Sequence, residues 1–148
     1  MGAAGTVLGI EKSLGGHGGA ARFRLLVVEE SDVIRAAIAD LAVDIQVCEL
    51  VGQCTDVAAA TVVAARETPH IVLLRASLAT VDNVRQVRAS APGCLVYLTS
   101  FRCSHARAAE ARLLGSDGCL EIARLGPELA RLMAGSDYPT AGSRGPAD

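Results

Sequence analysis

Two adjacent carboxylates, Glu29 and Glu30, follow directly on the apolar run Leu25-Leu26-Val27-Val28. Hard oxygen ligands of this kind can hold Mg²⁺ when further oxygens converge on the same point. The plainer alternative is that they flank the first turn of a following helix, where negative charge complements the N-terminal dipole. Arg75 comes directly after the apolar run 71–74, and Thr99 ends the run 95–99. A guanidinium within reach of Glu29 or Glu30 would form charge-assisted hydrogen bonds and supply the charge that a metal ion would otherwise bring. The alternative is an Arg75 that points into solvent.

The remaining reactive side chains suggest less. Cys48, Cys54, Cys94, Cys103 and Cys119 are odd in number, with no Cys-x-x-Cys pair and no histidine at ligand spacing. Free thiols behaving as small buried hydrophobes are expected, although Cys48 and Cys54 flank one predicted strand and Cys94 and Cys103 another. His17 lies in a glycine cluster, and His70 and His105 stand at element starts without a convergent partner in the sequence. Gly15-Gly16-His17-Gly18-Gly19 follows no convincing strand and has no lysine at P-loop spacing, so it is not a phosphate loop. An aromatic content of 3% leaves little to sandwich a flavin. No cofactor is expected.

Whatever these side chains do, a regular framework must hold them. Short apolar runs alternate with helical patterns five times, the signature of a parallel sheet with crossover helices. Strands are predicted at 23–28, 47–51, 71–74, 95–99 and 119–122. Four of the helices between and after them start at Ser31 or Asp32, at Thr55 or Asp56, at Ser104, and at Gly126-Pro127 with proline in the first helical position. Ile34, Ala37, Ile38, Leu41 and Ile45 share one face of the first helix, and Val81, Val84 and Val87 form a stripe on the third. Gly115 suits the position that closes the fourth helix. A doubly wound α/β domain is expected, with right-handed crossovers placing helices on both faces, and for a unit of this size the flavodoxin-like strand order 2-1-3-4-5 is the natural candidate. That order places any site at the carboxyl ends of strands one and three, where Glu29 and Arg75 stand.

The glycine-rich stretch 1–21 and the Gly/Pro/Ser/Asp-rich stretch 136–148 read as flexible tails or a linker, leaving 22–135 as one folded unit. Fourteen basic against sixteen acidic residues give a net charge of −2, which excludes a broad electrostatic pull on nucleic acid. Lys12 is the sole lysine, a coding bias in keeping with a GC-rich bacterial genome. No stretch approaches the roughly 18 apolar residues of a membrane span, and a cytoplasmic location is expected.

The combination resembles response-regulator receiver domains. Glu29-Glu30 is similar to the acidic pair after the family's first strand, and Pro69-His70-Ile71-Val72-Leu73-Leu74 to the lead-in to its phosphoacceptor. Leu98-Thr99-Ser100 resembles the end of its fourth strand, and Gly115-Ser116-Asp117-Gly118-Cys119-Leu120 the approach to its fifth. On this resemblance Arg75 stands at the acceptor aspartate, Ile122 at the phosphoryl-contacting lysine and Cys119 at the switch aromatic. Thr99 alone retains its part of the relay. A guanidinium has no acceptor lone pair and cannot take the place of the aspartate.

The resemblance thus implies a degenerate pocket of Glu29, Glu30, Arg75, Thr99 and Ile122, no catalysis, and Glu29 and Glu30 as weak metal candidates at most. It implies a protein partner or homodimer through the fourth and fifth βα units, with Leu129, Leu132 and Met133 supplying apolar groups. The alternative from another class is a small α/β ligand-binding protein or enzyme using the acidic pair.

Overall fold

A computed structural model describes residues 22–135, and the two stretches assigned above as tails lie outside these residues. The chain runs β1 (Phe23–Val28), α1 (Asp32–Val43), β2 (Cys48–Cys54), α2 (Val57–Glu67), β3 (Ile71–Arg75), α3 (Val81–Ser90), β4 (Leu95–Ser100), α4 (His105–Leu113), β5 (Gly118–Glu121) and α5 (Leu125–Ala134). The five strands form one parallel sheet, as the alternation of elements predicts, in the expected order β2-β1-β3-β4-β5.

Each central strand is buried on both sides, which is why it reads as an unbroken apolar run. Strand residues alternate between two cores. Leu25, Val27, Ile71 and Leu73 meet Ile38 and Ala42 of α1 and Leu125, Leu129 and Met133 of α5. Leu26, Val28, Val72, Leu74, Val96 and Leu98 meet Ala60 and Ala64 of α2, Val84 and Val87 of α3 and Ala111 of α4. Helices therefore cover both faces, two on one and three on the other.

Side-chain caps fix where four helices begin. Ser31 Oγ accepts from the Ile34 N–H at 3.3 Å, Asp56 Oδ1 from Ala59 at 2.8 Å, Thr80 Oγ1 from Asn83 at 2.9 Å and Ser104 Oγ from Arg107 at 3.1 Å. Gly115 follows α4 with φ +99°, the left-handed conformation expected there. Asp117 then locks the approach to β5, accepting from the Val96 N–H at 2.8 Å and from Arg88 at 2.7 Å.

Several boundaries differ from the sequence expectation. β2 is longer and carries a register irregularity against Leu25/Leu26 of β1, next to Gly52. β5 ends at Glu121, because a 3₁₀ turn takes up Ile122–Arg124 and feeds directly into α5. Pro127 is therefore the third residue of α5 and not its first, a position where its missing N–H still has no helical partner to lose. The apolar stripe of α5 also needs correcting as a docking surface. Leu129 and Met133 are buried in the core against β1 and β3, and only Leu132 is half-exposed. The apolar face of an amphipathic helix turns to the sheet because that removes most apolar area from water.

Candidate functional site

Parallel register brings the carboxyl ends of β1, β3 and β4 side by side. Val28 pairs with Leu74, and Arg75 with Thr99, so Glu29, Arg75 and Thr99 lie in a row across three strands. Glu29 is fully buried. Its Oε1 accepts from Arg75 Nη1 at 3.0 Å and its Oε2 from the Ser31 N–H at 2.9 Å. Its backbone is fixed too: the N–H donates to Cys54 O at 2.9 Å, and its carbonyl accepts from Arg35 Nη1 at 2.9 Å.

Arg75 is 15% exposed at the side chain, and its guanidinium carbon lies 4.6 Å from the centroid of the Phe101 ring. Phe101 thus lids the ion pair on its outer side through a cation–π contact. Glu30 turns outward, where its Oε2 accepts from Ser77 Oγ at 2.6 Å. Thr99 is buried beside Arg75. Ile122, half-buried, begins the turn after β5. Of the two positions open to Arg75 in the sequence, the buried pair is the one adopted. Ser77, Phe101 and Arg35 were not foreseen, since Ser77 sits in the short 3₁₀ turn Ala76–Leu78, Phe101 in a loop without periodicity, and Arg35 meets Glu29 through a backbone carbonyl.

The cysteines depart from expectation. Cys103, between β4 and α4, and Cys119, on β5, are bonded as a disulfide with Cα atoms 6.0 Å apart. The reading of all five as free thiols is therefore corrected for this pair, which is far apart in sequence but adjacent across the β4–β5 edge. Cys48, Cys54 and Cys94 are free and buried. Burial pushes the thiols of Cys48 and Cys94 up to about 11, and that of Cys54 upward as well. His70 is structural: its Nδ1 accepts from the Arg24 N–H at 2.9 Å, and its ring meets Phe23 edge-on.

No family model and no curated protein matches the sequence. Solved structures do. A chain from the R. sphaeroides complex of the CheA3 P1 domain with CheY6 superposes with TM-score 0.67 at 22% identity, over 78% of this chain and 96% of that one. The signal receiver domain of NarL from Mycobacterium tuberculosis gives 0.67 at 19% identity, over 78% and 95% of the two chains. The response regulator domain of Thermotoga maritima CheB gives 0.65 at 18%, over 77% and 95%. The chain has the fold of a response-regulator receiver domain.

The strand ends of this fold offer a metal ion few free oxygens. Both Glu29 oxygens are engaged, Glu30 bonds Ser77, and Arg75 places a positive charge among them. Among the described residues no three His, Cys, Asp or Glu side chains are grouped to hold a metal. This donor set does not fit Mg²⁺, which takes several converging oxygens and is opposed by a neighbouring guanidinium. No helix among the described residues is long and apolar enough to cross a membrane.

Proposed function

We propose that this receiver-fold domain regulates by protein contact without being phosphorylated, as a non-enzymatic module of two-component-type signalling or transcriptional control. The observation that carries the reading is the Arg75 guanidinium, 3.0 Å from the Glu29 carboxylate at the strand end where the resemblance puts the acceptor. A guanidinium offers no lone pair to a phosphoryl donor, and Ile122 offers no cation to an incoming phosphoryl group. The pocket carries its own compensating charge instead. A ligand shifts a two-state equilibrium only through differential affinity, and a pocket already closed by an internal ion pair leaves a phosphoryl group nothing to bias. The domain then holds one state constitutively, and its output is set by association. The partner we favour is a second copy of the chain, docked through the fourth and fifth βα units, where Leu113 is 83% and Phe101 61% exposed.

Incubation with acetyl phosphate and Mg²⁺, followed by intact-mass spectrometry, tests the phosphorylation-independent reading. No adduct is expected, and none should appear at Glu29 or Glu30. A stoichiometric, hydroxylamine-labile adduct overturns it.

A further inference from the structure

The segment 101–104 leaves the end of β4 and crosses beside the ion pair before α4 begins. It is held at three points. The Phe101 ring lies on Arg75, the Cys103 N–H donates to Glu121 Oε2 at 3.0 Å, and the Cys103 sulfur is bonded to Cys119. The first two contacts are weak and partly exposed, so the sulfur bond is the one that fixes the segment. Cys119 has a rigid seat, since it pairs with Leu98 inside the sheet. Both sulfur-bearing residues are half-buried, in contrast to the buried Cys48, Cys54 and Cys94. Thiol chemistry with small molecules is thereby directed to one pair among the five cysteines.

We propose that Cys103 and Cys119 are a reversible dithiol–disulfide modification site, with a low-molecular-weight disulfide as oxidant, and that its state sets the order of the 101–104 segment over Arg75. The thiolate of one cysteine attacks the small disulfide, whose S–S bond breaks to release one thiolate and leave a mixed disulfide on the protein. The second cysteine's thiolate attacks the protein-side sulfur, closing the Cys103–Cys119 bond and expelling the second small thiol. Two electrons pass from the protein dithiol to the small disulfide, and the two thiol protons end on the two released thiols. Excess small thiol reverses both steps. In a reducing cytosol disulfides are mostly transient, so the bond would close when the disulfide share of the pool rises. The proposal concerns control of the loop and stands whether or not the domain is phosphorylated.

The full chain is equilibrated over a series of ratios of oxidised to reduced glutathione, quenched in acid, alkylated under denaturing conditions and mapped by peptide mass. Cys103 and Cys119 should lose alkylation together as the ratio rises and regain it with dithiothreitol, while Cys48, Cys54 and Cys94 stay alkylated throughout. Amide exchange across 101–104 should be slower in the oxidised form by roughly tenfold or more. Cys103→Ser and Cys119→Ser should each match the reduced protein, and reduced wild type supplies the same comparison if either variant misfolds. The proposal is overturned if the pair stays alkylated at the oxidising end, if a different cysteine pair closes, if either cysteine stops at the mixed disulfide, or if exchange is equal in both forms.

Discussion

Arg75 and Glu29 form a buried ion pair, and such a pair is no guarantee of stability. Desolvating both charges offsets most of their attraction, so the intact pair contributes little net free energy. Removing one partner is a different matter. Glu29 is fully buried, and without Arg75 its charge would rest on the Ser31 N–H alone. We expect Arg75→Ala to lower stability by about 1–3 kcal/mol, the cost of leaving a buried polar group unsatisfied and less than the roughly 3–5 kcal/mol of a fully buried broken pair, because Arg75 keeps some contact with water. Urea titration of the two proteins, with equal slopes, measures it. Unchanged stability would mean that the carboxylate is rehydrated or protonated at no cost, and that the pair does not define the pocket. The sequence made this site half-legible. Residue types at strand ends identify Glu29, Arg75 and Thr99 as neighbours once the strand order is known, because parallel register is regular. Phe101 over Arg75 and Ser77 on Glu30 were not readable, since loop paths obey no period.

At the scale of elements, close packing of α2 on β2 depends on a missing side chain. A Cβ on Gly52 would stand 2.7 Å from Val63 Cγ1 and 3.0 Å from Leu26 Cδ1. α2 presents Ala60 and Ala64 to the sheet, small residues that let the helix approach this closely. We expect Gly52→Ala to force α2 outward and cost about 1–3 kcal/mol, the usual range for overpacking a tight core. Chemical denaturation would read this as a shift in midpoint. A neutral or stabilising outcome would indicate that Val63 simply changes rotamer. The existence and order of the elements, and the caps at Ser31, Asp56 and Ser104, followed from local patterns of apolar period, capping residue and turn glycine. The facing of α5 did not. An apolar stripe at Leu129, Leu132 and Met133 has the same spacing whether it meets the sheet or a partner, and only the sheet's unfilled face decides between them. The Cys103–Cys119 bond escaped for a related reason: proximity across β4 and β5 is set by the three-dimensional path of the chain and not by spacing in sequence.

For the whole molecule the question is what a small chain of net charge −2 does with the apolar surface that its domain leaves uncovered. Long-range repulsion between copies at such a charge is slight and screened within about 8 Å at physiological ionic strength. α4 buries only Ala111, and its last residue, Leu113, is 83% exposed, so this helix is held loosely and shows an apolar end. With Leu129 and Met133 in the core, the homodimer proposed through the fourth and fifth βα units would draw its apolar contacts from Leu113, Phe101 and Leu132. Interface energy concentrates in a few central apolar or aromatic residues, and a charge at such a position is left desolvated without a partner. We therefore expect concentration-dependent dimerisation in sedimentation velocity, weakened at least about tenfold by Leu113→Asp, which corresponds to about 1.4 kcal/mol. The variant's melting temperature at low concentration should be nearly unchanged, because Leu113 is exposed and contributes little to the core. Dimerisation that survives Leu113→Asp would move the interface away from α4. A wild-type chain that stays monomeric at the highest attainable concentration would remove self-association as its output and leave a heterologous protein as the partner.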